Sequence, residues 1–399
     1  MENDQMFAII NALVEPVSGP RIPGGTVWVK DGRIAAVGPH ARVPAGVRRI
    51  DARGRLLTPG LMDAHSHAGL WEDGMVNDSD VNEKSNPVTA QVRALDAFRP
   101  TDVALIEAAQ SGVTSIFVTP GSANVICGLG AVVKTLAPTF AQQVVKADAG
   151  LKMATGENPK HAYDAKTIMP ATRMGTAAVM RAVLTKARIY ARKKALHAKK
   201  KGNKDPFETD CDMEVMADLL AGLFPARCHA HRSVDMLTTI RIAEEFGFRL
   251  IFEHATECED ILAELVTRKI PVVIGPTMGS RTKIELHHKR FATVAAAVKA
   301  GLLVAITSDH SVTPLRYLNV YTALAIREGL DPTEALKCIT LNPAKICGVD
   351  KRLGSIEKGK DADLVLWESD PFDVRTKPTA VWINGNSVDL SIEPFRRPR

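Results

Sequence analysis

Hydrophobic and polar positions change period twice along the chain. In the first 55 residues apolar side chains alternate with polar ones, the pattern of half-buried strands. "TVWVKDGRIAAVG" places two such runs on either side of Asp31-Gly32, a pair that tolerates positive φ and predicts a type I′ hairpin. The far end has the same texture: "ADLVLWESD" reads as a strand, and "AVWINGNSV" turns near Asn384-Gly385. The two ends are therefore expected to pair as one small sheet flanking the middle.

The middle reads differently. Short, continuously apolar runs recur: the run ending at His65, then "GVTSIFVTPG", "AVVKT", "AGLKMAT", "ARCHAHR", "FRLIFEH", "IPVVIGP" and "GLLVAITSDH". Between several of them the period becomes helical, as in "TDVALIEAAQS", "CEDILAELVTRK" and "SVDMLTTIRIAEEFG", the last with Ser233 as N-cap and Gly247 as stop. Apolar strands separated by helices predict an α/β protein with a parallel sheet, and eight of them predict a closed (β/α)₈ TIM barrel. The expected organisation is residues 1–57 and 349–399 as a small composite β-sandwich and residues 58–348 as the barrel. Residues 156–224 are too long for an ordinary βα connection, which takes about 30 residues. They read as an insertion that either lies on the surface or covers the active site.

Composition narrows the class. The 399 residues are 45% hydrophobic and 24% charged, with no uninterrupted apolar run of membrane-spanning length. The N-terminal "MENDQMFAIINALVEP" lacks a basic-then-apolar signal layout, so a cytoplasmic protein is expected. Six scattered cysteines without a CxxC pair suit reduced thiols. Much of the +6 net charge sits in "KARIYARKKALHAKKKGNK", residues 186–204. No nucleic-acid module accompanies that run, which reads as a solvated helix face rather than a nucleic-acid contact.

In a barrel of this kind the reactive face lies at the C-terminal ends of the strands. Those ends carry His65 and His67, Lys152, His229 with His231 just beyond, His254 and Asp309. Residues two apart on a strand share a face, so His65 and His67 can grip one ion together. One histidine ending an apolar strand is usually a hydrogen-bonded structural group. Several at different strand ends, with a carboxylate, suit a divalent metal.

"PGLMDAHSH", "CHAHR", "FEHATE", "TSDH" and "GKDADLVLW", in this order over nearly the whole chain, resemble the amidohydrolase superfamily. "DVNE", "TPGSANVICG", "GLKMATGENPK" and "LNPAKICG" are most similar to its imidazolonepropionase-related and prolidase-like members. The resemblance implies the same barrel and composite sandwich. It implies His65 and His67 on the more buried of two metals, His229 and His254 on the second, and Asp309 touching the first. The ions would be two zinc, with iron or manganese as alternatives. A bridge would come from Lys152 carboxylated by CO₂, with Glu157 as the competing bridging residue.

Two such ions would acidify a shared water, and Asp309 would serve as general base and then acid in hydrolysis of a C–N bond in an amide, cyclic amide or dipeptide-like small molecule. His231 and Arg232 could bind a substrate carbonyl or carboxylate. Arg173 and Arg281 lie in loops on the same side and suit an acidic substrate, unless these arginines only pair with Glu83, Glu257 or Glu285. "TPGSANV" is either an anion-approachable loop or a plain turn, and His287-His288 should face solvent. Cys228 and Cys258 read as packing residues. A deaminase on the same scaffold and a metal-free noncatalytic scaffold are the competing readings. The resemblance also implies a homo-oligomer.

Overall fold

The computed structural model describes residues 6–71, 79–164, 166–199 and 206–391, and the end of the basic run, residues 200–204, lies outside them. Eight strands form the barrel sheet in sequence order: Leu61–Ser66, Val113–Val118, Ile126–Lys134, Val144–Ala154, Ala226–Ala230, Leu250–His254, Val272–Ile274 and Val304–Ile306. They are the eight apolar runs of the sequence.

One strand departs from the parallel expectation. Ile126–Lys134 pairs antiparallel with both Val113–Val118 and Val144–Ala154, while every other pairing in this sheet is parallel. The cause is chain length. The link from Val118 to Ile126 is too short for a helical crossover, which needs about a dozen residues. The chain must double back.

Among the described residues no regular ladder joins the eighth strand to the first. Side chains close that seam instead. Thr307 Oγ1 donates to His65 O at 2.6 Å, and the Ser308 N–H and hydroxyl donate to Asp63 Oδ2 at 2.9 and 2.6 Å. The His67 N–H donates to His310 O at 2.7 Å. Asp63 is fully buried, so its ring of donors is what makes a carboxylate tolerable there.

The two chain ends build a second eight-stranded sheet, in which Leu364–Trp367 pairs antiparallel with Leu56–Pro59. The hairpin of Ile22–Lys30 and Arg33–Gly38 closes with Lys30 opposite Arg33, and Asp31 (φ 50°) and Gly32 (φ 73°) supply the left-handed turn that the dipeptide foretold. Asn384 (φ 49°) and Gly385 (φ 74°) repeat it at the other end. The two turns touch: a Cβ on Gly32 would stand 2.7 Å from Asn384 O. Phe7, Ile9, Val27, Leu57, Leu364 and Trp382 fill a separate core under this sheet.

The helix Ser233–Phe246 starts one residue earlier than expected. Arg232 holds the N-cap position, and the Ser233 N–H and hydroxyl both donate to Glu257 Oε2. Gly247 ends it in the left-handed conformation (φ 80°). The insertion contains the helices Glu157–Asp164, Arg173–Lys199 and Cys211–Leu220. The long helix buries Met180, Val183, Leu184 and Ala187 against its neighbours, and its basic second half is largely exposed. No helix among the described residues is long and apolar enough to cross a membrane.

Candidate metal centre

Six of the polar residues singled out in the sequence meet at the C-terminal mouth of the barrel. His65 and His67 leave the first strand with ring centroids 5.1 Å apart. His254 lies 5.0 Å from His65 and 4.5 Å from His229, and His231 stacks on His254 at 4.9 Å. Asp309 reaches into the group, with Oδ1 at 3.1 Å from His65 Nε2 and 3.3 Å from His67 Nε2. Two sets of atoms lie within 4.8 Å of one another: His65, His254 and Asp309, and His229, His231 and His254. The second set includes His231, expected to bind substrate, among the atoms near enough to share an ion.

Hydrogen bonds orient the rings. His67 Nδ1 lies 2.7 Å from Thr119 O and His254 Nδ1 lies 2.7 Å from Gly275 O. A carbonyl can only accept, so each Nδ1 carries the proton and each Nε2 keeps a free lone pair. Burial holds His229 and His254 well below the usual imidazole pKa, so they stay neutral. Burial also takes His231 down to about 4. Burial and Lys152 would depress His65 too, but the Glu253 and Asp309 carboxylates outweigh them and leave it above its ordinary value. Burial alone would raise the Asp309 carboxyl, yet His254, His65 and His67 hold it well below the usual range. The neutral imidazoles of His229 and His254 and the ionised Asp309 are in the states a divalent cation requires, and His65 would have to give up a proton to join them.

The backbone here is strained. His254 (φ 70°), Ala255 (φ 44°) and Asp309 (φ 52°) occupy left-handed conformations without being glycine, at an estimated cost of about 1 kcal/mol or more each.

Lys152 is fully buried and its Nζ meets no hydrogen-bond partner among the described residues. Burial pushes its ammonium pKa down, against the pull of Glu253, Cys127 and Asp309. Glu157, its rival as bridging residue, is half-buried at the start of the next helix, and its N–H donates to Glu285 Oε2 at 3.0 Å. A buried, unpartnered amine beside carboxylates and imidazoles is a group that carboxylation and a cation would satisfy. The donor set fits a divalent metal.

The three arginines expected to bind substrate each have a partner within the protein. Arg173 Nε donates to both oxygens of Asp235 at 2.9 and 3.2 Å. Arg232 lies 3.7 Å from Glu257, and Arg281 donates to Lys289 O. Lys283 is nearer the cluster: it bonds Asn158, whose amide is 3.4 Å from His229 Nε2. The exposed His288 pairs with Glu257, while Cys228 and Cys258 are buried with thiols that burial pushes up to about 12.

Two carboxylates at the cluster were not read as site residues, Glu285 having been considered only as an arginine's partner. Glu253 Oε2 lies 2.9 Å from His65 Nδ1, and its other oxygen accepts from Arg227 Nε at 2.5 Å. Glu285 is fully buried, 3.8 Å from both His229 Nε2 and His231 Nε2. An acid inside the apolar run "FRLIFEH" could have revealed the first; Glu285, in a polar loop, offers no such signal.

A model of the amidohydrolase family matches residues 56–388. An amidohydrolase tasK of Hapsidospora irregularis is 30% identical over 397 residues, covering 91% of this chain but 40% of that protein. An imidazolonepropionase of Symbiobacterium thermophilum is 26% identical and covers 91% of this chain and 90% of its own length. Among solved structures, an amidohydrolase from Thermotoga maritima MSB8 superposes with a TM-score of 0.93 at 45% identity, over 96% of this chain and 99% of that one.

Proposed function

Because the chain belongs to the amidohydrolase family, we propose that it is a metal-dependent hydrolase that opens a C–N bond in a small, carboxylate-bearing amide, cyclic amide or dipeptide-like molecule. One observation carries this reading: His65, His254 and Asp309 converge within 4.8 Å beside a fully buried, unpartnered Lys152 amine. His65, His67, His229, His254 and Asp309 would hold up to two divalent ions, with carboxylated Lys152 between them. Such ions supply acidification of water and polarisation of a carbonyl.

The chain's own groups do the rest. Asp309, ionised and aimed into the mouth, takes the proton of the attacking water and returns it to the leaving nitrogen. His231, neutral at physiological pH, hydrogen-bonds the scissile carbonyl rather than repelling the ions. Lys283, 3.9 Å from the buried Glu285, would supply positive charge toward a substrate carboxylate together with Arg173, Arg232 and Arg281. The buried Lys152 favours hydrolysis over deamination, because the single-metal sites that deaminases use have no need of an amine there.

The test uses protein purified without chelator and a panel of N-acyl amino acids, dipeptides and lactam carboxylates. Asp309→Asn should lower turnover about 10²- to 10⁴-fold while most metal is retained. Incubation with ¹³CO₂ should label the wild-type protein and not Lys152→Gln. Undiminished activity in D309N sinks the mechanism, ammonia release from amino-heterocycles would favour a deaminase, and near-zero metal would favour a noncatalytic scaffold.

A further inference from the structure

The opposite end of the barrel holds a cavity of about 440 Å³ that the proposed chemistry does not use. Residues at or within two positions of the starts of five consecutive strands line it: Lys146, Pro225, Leu250, Pro271 and Leu303. The sixth strand runs from this cavity to His254, so about 13 Å of strand separates the two sites. The inner wall is apolar, with Ile240, Phe248, Ile270 and Ile346, and the volume is that of a small-molecule site.

The rim is cationic. Arg268 is neutralised by Glu244, at 2.6 Å, and by Glu264. The other four cations meet no carboxylate among the described residues. Lys146 Nζ donates to Cys347 O at 3.2 Å and Arg249 to Gly222 O at 2.9 Å. The side chains of Lys269 and Lys345, both exposed, make no ion pair or hydrogen bond there. Among the described residues Glu244, already paired, is the only acid in the lining. Four unneutralised charges around an apolar hollow repel one another and focus a positive potential into it. An anion with an apolar body relieves both the repulsion and the exposed wall.

We infer that this cavity is a second binding site, for a small organic dianion whose phosphate or paired carboxylates meet Lys146, Arg249, Lys269 and Lys345 while its apolar body lies against Ile240, Phe248 and Ile270. The site is independent of the metal centre.

Calorimetric titration of the metal-loaded protein with 1-naphthyl phosphate tests it, with 1-naphthol and inorganic phosphate as half-ligands. The ester should bind at one equivalent, with affinity falling as salt rises. Each half-ligand should bind about tenfold more weakly or worse. The variant K269N/K345E changes only exposed side chains, and asparagine suits the left-handed backbone of Lys269 (φ 53°). It should weaken ester binding about tenfold or more, whereas R268Q, which removes an already neutralised charge, should change it by less than about twofold. Equal affinity in wild type and K269N/K345E would place the ester at the metals and overturn the inference. So would the absence of saturable binding up to about 5 mM.

Discussion

Arg227 and Glu253 are both fully buried beneath His65, and the guanidinium spends all three nitrogens: Nε on Glu253, Nη1 on Cys347 Sγ and Nη2 on Ala64 O. Phe117 stacks against its face at 3.8 Å. Burial works against the Glu253 carboxylate, but Arg227 and His65 overcome it and hold its pKa far down. Removing one member of such a pair strands the other charge in the core. Arg227→Met should therefore cost about 3–5 kcal/mol in a urea titration, and Arg227→Lys should recover little because one ammonium cannot make the fork's contacts. Glu253→Gln keeps the size but drops the charge facing His65 Nδ1, so metal affinity, read by competition with a chelator, should fall about 10- to 100-fold. The imidazoles and Asp309 were legible because they end apolar runs at the reactive face. Glu253 and Glu285 were not read as site residues, since an acid's value here depends on which buried cation or imidazole folding brings to it.

At the scale of elements, hairpins and strands were readable where a local rule decides them. Asp31-Gly32 and Asn384-Gly385 force turns, and continuous apolar runs mark buried strands. The reversed third strand was readable in principle, since the short link from Val118 to Ile126 permits nothing else. The junction between the two sheets was not. "GKDADLVLW" looks like a signature of chemistry, yet its aspartates form a clasp: Lys134, fully buried, lies 2.6 Å from Asp363 and 3.2 Å from Asp361. Arg352 and Arg33 also pair with Asp361, at 2.8 and 3.3 Å. Burial would raise the Asp361 carboxyl, but Lys134 and Arg352 leave it below its ordinary value. A pKa lower in the folded state than in the unfolded chain stabilises the fold above about pH 4, and that stability is lost as pH falls through the folded value. Asp361→Asn should thus be less stable than wild type near pH 7, with a flatter acid limb between about pH 5 and 3 in tryptophan-monitored unfolding. Parallel acid limbs would assign the acid sensitivity elsewhere.

For the molecule as a whole, the seam between the first and eighth strands is the weak line of the barrel. Regular ladders tie the other neighbours, while this pair relies on Thr307, Ser308 and Asp63 and on one bond from the His67 N–H to His310 O. His65 and Asp309 flank that seam, so an ion held by both would strap it shut from above. The consequence is a local, not a uniform, dependence of stability on metal. Chelation should lower amide-exchange protection in Leu61–Ser66 and Val304–Ile306 while leaving Ile126–Lys134, laddered on both sides, little changed. Restoring free metal to about a hundred times its Kd should return about 2.7 kcal/mol per site. If protection falls equally in all eight strands, the ion stabilises the barrel without strapping its seam; if it falls in none, His65 and Asp309 do not share one.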